Sequence, residues 1–368
     1  MKLTVARGEL VDALSVVSRG LSSRSTLPIL SGILVSASSD GAVSLQATDL
    51  EVSVRKSLPL VSVEREGVTV VPGRLFSDIV RSLPEAAVTL SLEGDTLAIS
   101  CMQSSFTVRT LGADDFPRFP EITPATSISL PSESVSEIVH HVSRAVSRDE
   151  TRPVLTGILL TVERQNVRMV ATDSYRLAVK EDLVEGANLD DLQVVVPGKV
   201  MEEVSRIAPE GESITIGVSE NQAVFMFGTT EFVARRIEGT FPNYRQLIPK
   251  ESETKVSVSR EETIAAVKRV SLLAQHNTPL RMTVNAEDQT LGLSAQTADI
   301  GDASEDLMAT VEGPDVEIAF NHSFLLDGLM ATGGESVRID IVSPLKPGVV
   351  TSPDDEGFLY LLMPVRLG

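Results

Sequence analysis

The sequence predicts an α+β protein built from three copies of one domain, and three observations support that prediction. Matching segments recur about 125 residues apart along the chain. Aromatic residues make up only 4% of the chain, so valine, leucine and isoleucine must supply the apolar packing, as is typical of strands. Each copy also contains two stretches in which a strand-like and a helix-like segment are followed by three strand-like segments.

The repeat is defined by anchors that keep a constant spacing. The pairs of anchors, each 125 residues apart, are Pro28 with Pro153, Pro72 with Pro197, and Phe116 with Phe241. A fainter third copy places Asn321 124 residues after Pro197. A period this long describes whole domains and not the short repeats of a solenoid. We therefore predict domains at residues 1–122, 126–249 and 253–368.

Each domain is predicted to consist of two β-α-β-β-β halves. In the first half of the first domain, the helix is "GELVDALSVVSRGL", whose apolar residues recur at helical spacing. The strands around it are "KLTVAR", "SGILVSAS", "VSLQATD" and "EVSVRKS". The second half repeats this order, starting with the strand "GVTVVPG" and the helix "RLFSDIVRSL". Six helices, one for each half, follow for the whole chain.

Composition excludes several classes of protein. No apolar run reaches the roughly 18 residues of a membrane-spanning helix, and "MKLTVARGEL" reaches charged residues too early for a signal peptide. We therefore expect a cytoplasmic protein that does not bind membranes. Cys101 is the only cysteine, and the four histidines lack the spacing of metal ligands. No disulfide, metal or cofactor is expected.

The motifs of common enzymes are absent from the sequence. Gly198 and Lys199 resemble the end of a phosphate-binding loop, but Val200 stands where serine or threonine is needed. Because Thr-Asp occurs in both "ATDLEVS" and "ATDSYRL", Asp49 and Asp173 are explained more simply as turn residues than as catalytic carboxylates. We expect no catalytic residues and no enzymatic activity.

Basic residues recur on the predicted helices although the net charge is −19. Arg74 and Lys199 occupy matching positions in the first two domains, and so do Arg81 and Arg206. Helix ends favour cations in any protein, so each residue alone is explained as solvated surface charge. Their recurrence favours a second interpretation, in which one positive face contacts phosphates without reading bases.

The order and spacing of "ATDSYRLAV", "EGTFPNYRQLIP" and the C-terminal "LLMPVRL" resemble those of the bacterial DNA polymerase sliding clamp family, over essentially the whole chain. The resemblance implies a head-to-tail homodimer that closes into a ring around duplex DNA. It also implies that the replicative polymerase, the clamp loader and repair proteins bind through short apolar peptides. Basic residues on helices and loops would face the DNA, and the candidates are Arg24, Arg74, Arg148, Arg152, Lys199 and Arg206.

The resemblance also implies a peptide-binding pocket between the second and third domains. The matching positions are Leu155, Thr172, Ser174, Tyr175, Arg176, Leu177, Pro242, Gln246, Leu247, Val349, Met363, Pro364, Val365 and Arg366. Leucine, valine, proline and methionine would form an apolar floor, and arginine would supply a polar handle. Tyr175 stands where the family often has histidine, and Gln246 where it often has arginine, which alters the expected peptide preference. The alternative is that Tyr175 and Arg176 only pack the seam between two domains.

For the ring interface, the resemblance implies that Phe106 and Val108, on an edge strand of the first domain, meet Leu272 and Leu273 in the third domain of a second copy. Such pairing would remove an unprotected sheet edge. The alternative is that Leu272 and Leu273 belong to the fifth helix. Neighbours on a helix cannot face the same way, so one of the two would then lie in the core.

Three functions from different classes follow from these observations. The first is a dimeric clamp that encircles DNA and has no catalytic activity. The second is a three-domain scaffold that binds peptides without encircling DNA. The third is an enzyme with a site between domains. A monomer that ignores DNA would favour the scaffold, and turnover of a substrate would favour the enzyme.

Overall fold

The computed structural model describes residues 1–22, 27–59, 61–184, 191–274, 279–298 and 300–366. The chain divides into two compact units. The first unit comprises Met1–Glu133 and Glu203–Arg236, and the second unit comprises Ser134–Glu202 and Ile237–Gly368. The second predicted domain therefore contributes residues to both units.

Helices and strands follow one another in the order that the repeat predicts. The α-helices of the described ranges are α1 Arg7–Val17, α2 Gly73–Ser82, α3 Ser132–Val142, α4 Gly198–Ile207, α5 Arg260–Val270 and α6 His322–Ala331. The strands of the first predicted domain are β1 Lys2–Ala6, β2 Gly32–Ala37, β3 Val43–Thr48, β4 Val52–Leu58, β5 Ser62–Arg65, β6 Gly67–Pro72, β7 Ala87–Glu93, β8 Thr96–Cys101 and β9 Ser104–Arg109. The strands of the second are β10 Thr126–Pro131, β11 Gly157–Glu163, β12 Asn166–Thr172, β13 Arg176–Leu183, β14 Leu192–Pro197, β15 Ser213–Val218, β16 Gln222–Phe227 and β17 Thr230–Arg235. The strands of the third are β18 Thr254–Ser259, β19 Leu280–Asn285, β20 Thr290–Thr297, β21 Gly301–Met308, β22 Thr310–Glu312, β23 Val316–Phe320, β24 Ser336–Ile341, β25 Gly348–Thr351 and β26 Phe358–Leu362.

The predicted β-α-β-β-β order is confirmed in all six halves. Two short strands, β5 and β22, are additional. β5 is largely exposed and carries two charged residues, so its sequence lacks the alternation that indicates a strand. It is ordered by backbone pairing with β1. Among the residues that the structure describes, no helix is long and apolar enough to cross a membrane.

In the first unit, the first strand of each β-α-β-β-β half pairs with a strand from the other half of the same domain. β1 lies in the sheet β5-β1-β7-β8-β9, whereas β6 lies in the sheet β10-β15-β16-β17-β4-β3-β2-β6. β1 and β7 are antiparallel, with Leu3 opposite Leu90. The larger sheet also joins the first two domains, because β4 pairs with β17 and sets Val54 opposite Phe232.

In the second unit, the first strand of each half likewise pairs with a strand from the other half of its domain. The two sheets have the orders β14-β11-β12-β13-β26-β25-β24-β18-β22 and β21-β20-β19-β23. β13 pairs with β26, which sets Leu177 opposite Leu361 and joins the second and third domains. β9 in the first unit and β21 in the second unit each lie at a sheet edge.

Each helix in the described ranges buries apolar residues along one face, and α1 is typical. Its buried residues are Leu10, Ala13, Leu14 and Val17. Burying one leucine side chain stabilises the fold by about 1.5–3 kcal/mol. The predicted helix extended to Leu21, but α1 ends earlier and the 3₁₀ turn Ser18–Gly20 follows it. This turn places Arg19 outside the α-helix.

A buried ion cluster links β13 to the loop before β26 in the second unit. Lys180 Nζ donates to Asp355 Oδ1 at 2.6 Å, and His141 Nε2 lies 2.8 Å from Asp355 Oδ2. The side chains of Lys180 and Asp355 are only 6% and 5% exposed. Burial by itself would raise the pKa of Asp355. The hydrogen bonds from His141, Lys180 and the backbone N–H of Gly333 nevertheless hold this pKa well below its ordinary value.

Acid should weaken the second unit through Asp355. A carboxylate whose pKa falls on folding stabilises the folded state above its unfolded pKa, 3.8 here, and loses this contribution as the pH falls towards the folded pKa. Between about pH 5 and pH 2, we expect the free energy of unfolding to fall more steeply in the wild type than in Asp355→Asn. Urea unfolding followed by tyrosine fluorescence is the measurement. The chain has no tryptophan, and its three tyrosines, Tyr175, Tyr244 and Tyr360, all lie in the second unit. Parallel pH profiles for the two proteins would contradict this role.

Candidate functional site

The motif "ATD" builds the same turn in the first and second domains. Asp173 Oδ1 accepts hydrogen bonds from the backbone N–H groups of Tyr175 and Arg176 at 2.9 and 3.0 Å. Asp49 Oδ1 accepts the matching pair of hydrogen bonds at 3.0 and 2.7 Å. Both carboxylates therefore close Asx turns, and the interpretation of these residues as turn residues is confirmed.

The residue at the tip of each turn adopts a left-handed conformation. The φ angle is 80° at Ser174 and 79° at Leu50, a region that ordinarily favours glycine. A threonine side chain stabilises each turn. Thr172 Oγ1 donates to the carbonyl oxygen of Arg176 at 2.7 Å and accepts from the N–H of Ser174 at 3.2 Å. These bonds fix the position of Tyr175 directly before β13.

The guanidinium of Arg176 is bound inside the second unit. Its Nε donates to Asp173 Oδ2 at 3.0 Å, and its Nη1 donates to Asp327 Oδ2 at 2.5 Å and to Tyr360 Oη at 3.3 Å. Its Cζ lies 4.3 Å from the centre of the Phe324 ring. Only 10% of the side chain is exposed. Arg176 thus fastens β13 to α6 and β26, and its charge is neutralised within the chain.

The sequence patterns did not indicate the partners of Arg176. Phe324 and Asp327 lie on α6, which the sequence distinguishes only by its lack of basic residues. Asp327 also accepts from Arg144 Nη1 at 3.3 Å, so two guanidinium groups share one carboxylate. Burial raises the pKa of Tyr360, so its hydroxyl stays protonated and donates to the carbonyl oxygen of Phe324 at 3.1 Å. A single aspartate and a single aromatic residue on an apolar helix, here Asp327 and Phe324, form no sequence pattern that would predict these contacts.

Tyr175 is the exposed aromatic residue of the site. Its side chain is 61% exposed, and its ring stacks on that of Phe324 with 6.3 Å between the ring centres. The C-terminal segment reaches the same turn, because the N–H of Met363 donates to the carbonyl oxygen of Tyr175 at 2.9 Å. Arg152, a candidate for DNA contact, donates from Nη1 to Ser174 Oγ at 2.9 Å and therefore also lies at this turn.

A buried apolar cluster, which we call the pocket floor, adjoins the turn. Its members are Leu159, Val170, Leu177, Val179, Val195, Phe241, Tyr244, Val349 and Leu361. Leu177 and Val349, two predicted pocket residues, are therefore packed in one cluster. Leu155 and Thr172 are also buried, each 5% exposed, and the neighbour of Leu155, Val154, packs against the floor. The pocket floor contains residues of β13, of β25 and of the loop before β18. The pairing of β13 with β26 brings these parts of the chain together.

The other predicted pocket residues lie mainly at the surface. Pro364 is half-buried, and the exposed residues are Pro242, Gln246, Leu247, Met363, Val365 and Arg366. Leu247 and Met363 are 47% and 40% exposed. Each follows a member of the floor closely in sequence, Tyr244 and Leu361 respectively. Exposed large apolar side chains beside an apolar cluster are typical of an interaction site.

This arrangement is suited to binding an apolar partner. The carboxylates of Asp173 and Asp327 are balanced by the guanidinium groups of Arg176 and Arg144. Tyr175 and Met363 are the large apolar groups left exposed beside this cluster. In the described part of the chain, no group of histidine, cysteine and acidic residues could hold a metal ion. A chain segment that places two or three large apolar side chains between Tyr175 and Met363 would fit this chemistry.

The predicted DNA-facing residues differ in their surroundings. Arg24 lies outside the described residues. The candidates on helices or in loops with exposed side chains are Arg74, Arg148, Lys199 and Arg206. Arg206 donates to Glu203 Oε1 at 3.0 Å, and its side chain remains 57% exposed. These residues stay available for phosphate contact, because an exposed ion pair is worth only about 0–1 kcal/mol.

The predicted interface residues lie on β9 and just after α5. Phe106 is 37% exposed, whereas Val108 is 5% exposed and packs inside its own unit. The expectation that one of Leu272 and Leu273 lies in the core of the fifth helix is wrong. Both belong to the 3₁₀ turn Ser271–Leu273, whose tighter geometry ends the helical packing face, so Leu272 is 82% exposed and Leu273 is half-buried.

Comparison with known proteins gives one consistent result along the whole chain. Family models of the N-terminal, central and C-terminal domains of the DNA polymerase III beta subunit match residues 1–120, 129–243 and 245–366. The beta sliding clamp of Streptomyces coelicolor is 35% identical over 379 residues, which cover 100% of both chains. The beta sliding clamp of Bacillus subtilis is 32% identical over 377 residues, again covering 100% of both.

Solved structures share the fold as well. The DNA polymerase sliding clamp from Bacillus subtilis has a TM-score of 0.94 at 31% identity, with 100% of each chain covered. The sliding clamp from Pseudomonas aeruginosa bound to griselimycin also has a TM-score of 0.94, at 29% identity and full coverage of both chains. The three matched domains occur in the order of the three repeats. The chain belongs to the family of DNA polymerase III beta subunits, the beta sliding clamps.

Proposed function

We propose that two copies of this protein join head to tail into a ring around duplex DNA, which they hold without sequence preference. The replicative polymerase, the clamp loader and repair proteins bind the ring by inserting short apolar peptides into the pocket of the second unit. The protein acts in the cytoplasm, without catalysis and without a metal or cofactor. Its membership in the sliding clamp family supports this proposal.

One contrast at the turn carries the peptide-binding part of the proposal. The charged groups of Asp173, Arg176 and Asp327 satisfy one another, while Tyr175 and Met363 expose 61% and 40% of their side chains to solvent. A folded unit that buries its charges and exposes large apolar groups is stabilised when a partner covers them. The pocket floor next to the turn is buried, and the exposed apolar side chains of Leu247 and Met363 beside it are the surface that such a partner would meet.

The pairing of strands between domains supports the ring. The last strand of a first half pairs with the last strand of the next domain's second half, as β4 does with β17 and β13 with β26. In the same scheme, β21 and β9 are the remaining pair, and each lies at a sheet edge. Phe232 and Phe106 are the third residues of β17 and β9, but Phe232 is 1% exposed and Phe106 37%. Pairing β21 with β9 of a second copy, twice, would cover Phe106 and close a ring.

Replacing Tyr175 by alanine should weaken ligand binding by roughly tenfold or more, because aromatic anchors contribute most to such sites. Griselimycin, to which the Pseudomonas aeruginosa clamp is bound in its structure, is the probe, and isothermal titration calorimetry is the measurement. Glu51→Ala is the matched control. Glu51 holds the same place in the first-domain turn, and this variant should bind like the wild type. Equal affinity of Tyr175→Ala and the wild type would refute the pocket assignment.

A further inference from the structure

The second helix of each domain carries an acidic residue at the same place. α2, α4 and α6 are each 10 residues long, and their matching acids are Asp78, Glu203 and Asp327. Arg19 Nη1 of the first domain lies 3.1 Å from Glu203 Oε2, and Arg144 Nη1 of the second domain lies 3.3 Å from Asp327 Oδ1. Both domain junctions within the chain therefore contain an ion pair between an arginine and this acid.

The third domain has leucine at the arginine position. α1, α3 and α5 are each 11 residues long and end at a valine, and a 3₁₀ turn that begins with serine follows each of them. Arg19 and Arg144 are the middle residues of the first two turns, and Leu272 is the middle residue of the third. Its side chain is 82% exposed. In the proposed ring, this position of a neighbouring copy therefore offers Asp78 no arginine.

An aromatic contact accompanies the ion pair at the junction between the second and third domains. Phe324, the third residue of α6, stacks on Tyr175, and the Cζ of Arg176 lies 4.3 Å from the centre of its ring. Tyr175 and Arg176 lie where the loop after β12 joins β13. In the third domain, Ile300 lies where the matching loop after β20 joins β21, and it is 58% exposed. Leu75, the third residue of α2, is 50% exposed.

We propose that Leu272 and Ile300 of one copy pack on Leu75 of the second copy, at each of the two contacts that close the ring. This inference rests on the proposed ring and adds a specific apolar contact to it. Leu75 and Asp78 are three residues apart on α2 and share one face of the helix, so a side chain that reaches the place of the ion pair also lies beside Leu75. The junction between copies would thus use an apolar contact where the junctions within the chain use an ion pair.

The exposure of Leu75 in the single chain supports the contact. The residues that match it on the other two helices are covered, since Val200 is 3% exposed and Phe324 is half-buried. The proposed contact also continues the pairing of β21 with β9, because Ile300 directly precedes β21. Three large apolar side chains that are exposed in one copy would cover one another in the ring, which favours association.

Truncation to alanine tests the contact. We expect Leu75→Ala, Leu272→Ala and Ile300→Ala each to raise the dissociation constant of the dimer by roughly thirtyfold, since every ring loses the contact twice. Combining Leu75→Ala with either of the other two should raise the constant by less than the product of the single effects, because both changes remove the same contact. Sedimentation velocity over a dilution series is the measurement. All three side chains are exposed in the single chain, so the variants should fold like the wild type.

Leu183→Ala is the matched control. Leu183 is 69% exposed but lies on β13, whose two neighbours in the sheet are strands of the same chain. This variant should leave the dissociation constant unchanged, and an equal loss in it would show a general effect of surface leucines and would overturn the contact.

The outcomes separate this inference from the ring itself. Less-than-multiplicative losses in the combined variants would support the contact. A dimeric wild type in which Leu75→Ala has no effect, or in which the combined losses equal the product of the single ones, would overturn the contact and leave the ring standing. A wild type that is monomeric at every concentration would overturn the ring and the contact together.

Discussion

Phe106→Arg is expected to convert the protein from a dimer of twice 39.4 kDa into a monomer. Phe106 occupies the place on β9 that Phe232 occupies on β17, where pairing with β4 leaves only 1% of the side chain exposed. In a closed ring, the variant would lose the burial of an aromatic side chain and place an unpaired charge in an apolar contact, at both interfaces. Each interface would lose several kcal/mol, so the dissociation constant should rise by at least about a thousandfold.

Size-exclusion chromatography with light scattering measures this change. Met226→Arg is the matched control, since Met226 is also 37% exposed but lies on β16, whose two edges are already paired within the chain. This control should remain dimeric. A second measurement is retention on nicked circular DNA after loading, which should be lost in Phe106→Arg and kept in Met226→Arg. Dimeric Phe106→Arg protein would remove β9 from the interface, and a monomeric wild type that ignores DNA would favour the peptide-binding scaffold.

Arg176→Ala is expected to lower the free energy of unfolding of the second unit by about 3 kcal/mol, since it removes one partner of a buried ion cluster. Asp173 and Asp327 would each lose a cationic partner at sites that are mostly closed to solvent, and Tyr360 Oη would lose a hydrogen-bond donor. Arg176→Lys should recover only part of the loss, because an ammonium group cannot reach both carboxylates in the plane of a guanidinium.

Urea unfolding followed by tyrosine fluorescence is the measurement, and Arg152→Ala is the control. Arg152 also binds the turn through Ser174, but its side chain is 44% exposed. An exposed contact of this kind should cost less than about 1 kcal/mol. Arg176→Ala should also weaken griselimycin binding. The guanidinium of Arg176 links the turn to α6, and its loss would loosen the position of Tyr175 against Phe324. Equal losses of stability in the two variants would show that Arg176 is a solvated surface group.

The sequence patterns predicted the regular elements closely, because helices and strands depend on local spacing. The helix at residues 74–83 and the strand at 67–73 differ from α2 and β6 by a single residue at their ends. The repeated Thr-Asp motif also indicated a turn at two places. The strand β5 was not predicted, since its order depends on a partner strand distant in sequence and not on its own alternation.

The burial and the contacts of particular side chains were less predictable from the sequence. An arginine of the pocket was expected to bind polar groups of a peptide. No pattern in the segment around Arg176 indicates that Asp327 and Tyr360 would accept its hydrogen bonds. Leu272 and Leu273 were predicted at the ring interface, with a core position in the fifth helix for one of them as the alternative. The change from α-helix to 3₁₀ turn at Ser271 rules out that alternative and leaves Leu272 82% exposed. Both outcomes depend on contacts with elements more than twenty residues away or on the way a helix ends.

The sequence by itself determined the three repeats, the β-α-β-β-β order of their halves and the Asx turns, because each follows from local spacing and from residue chemistry within a short segment. Only the tertiary structure decided that β1 and β6 each pair with a strand from the opposite half of their domain, and that β13 pairs with β26. It also decided that the charge of Arg176 is used inside the second unit while Tyr175 stays exposed. The physical reason is that strand pairing and charge neutralisation join residues that are far apart in the chain. Which strand or side chain a residue contacts therefore depends on the packing of the whole fold and not on the sequence of its own segment.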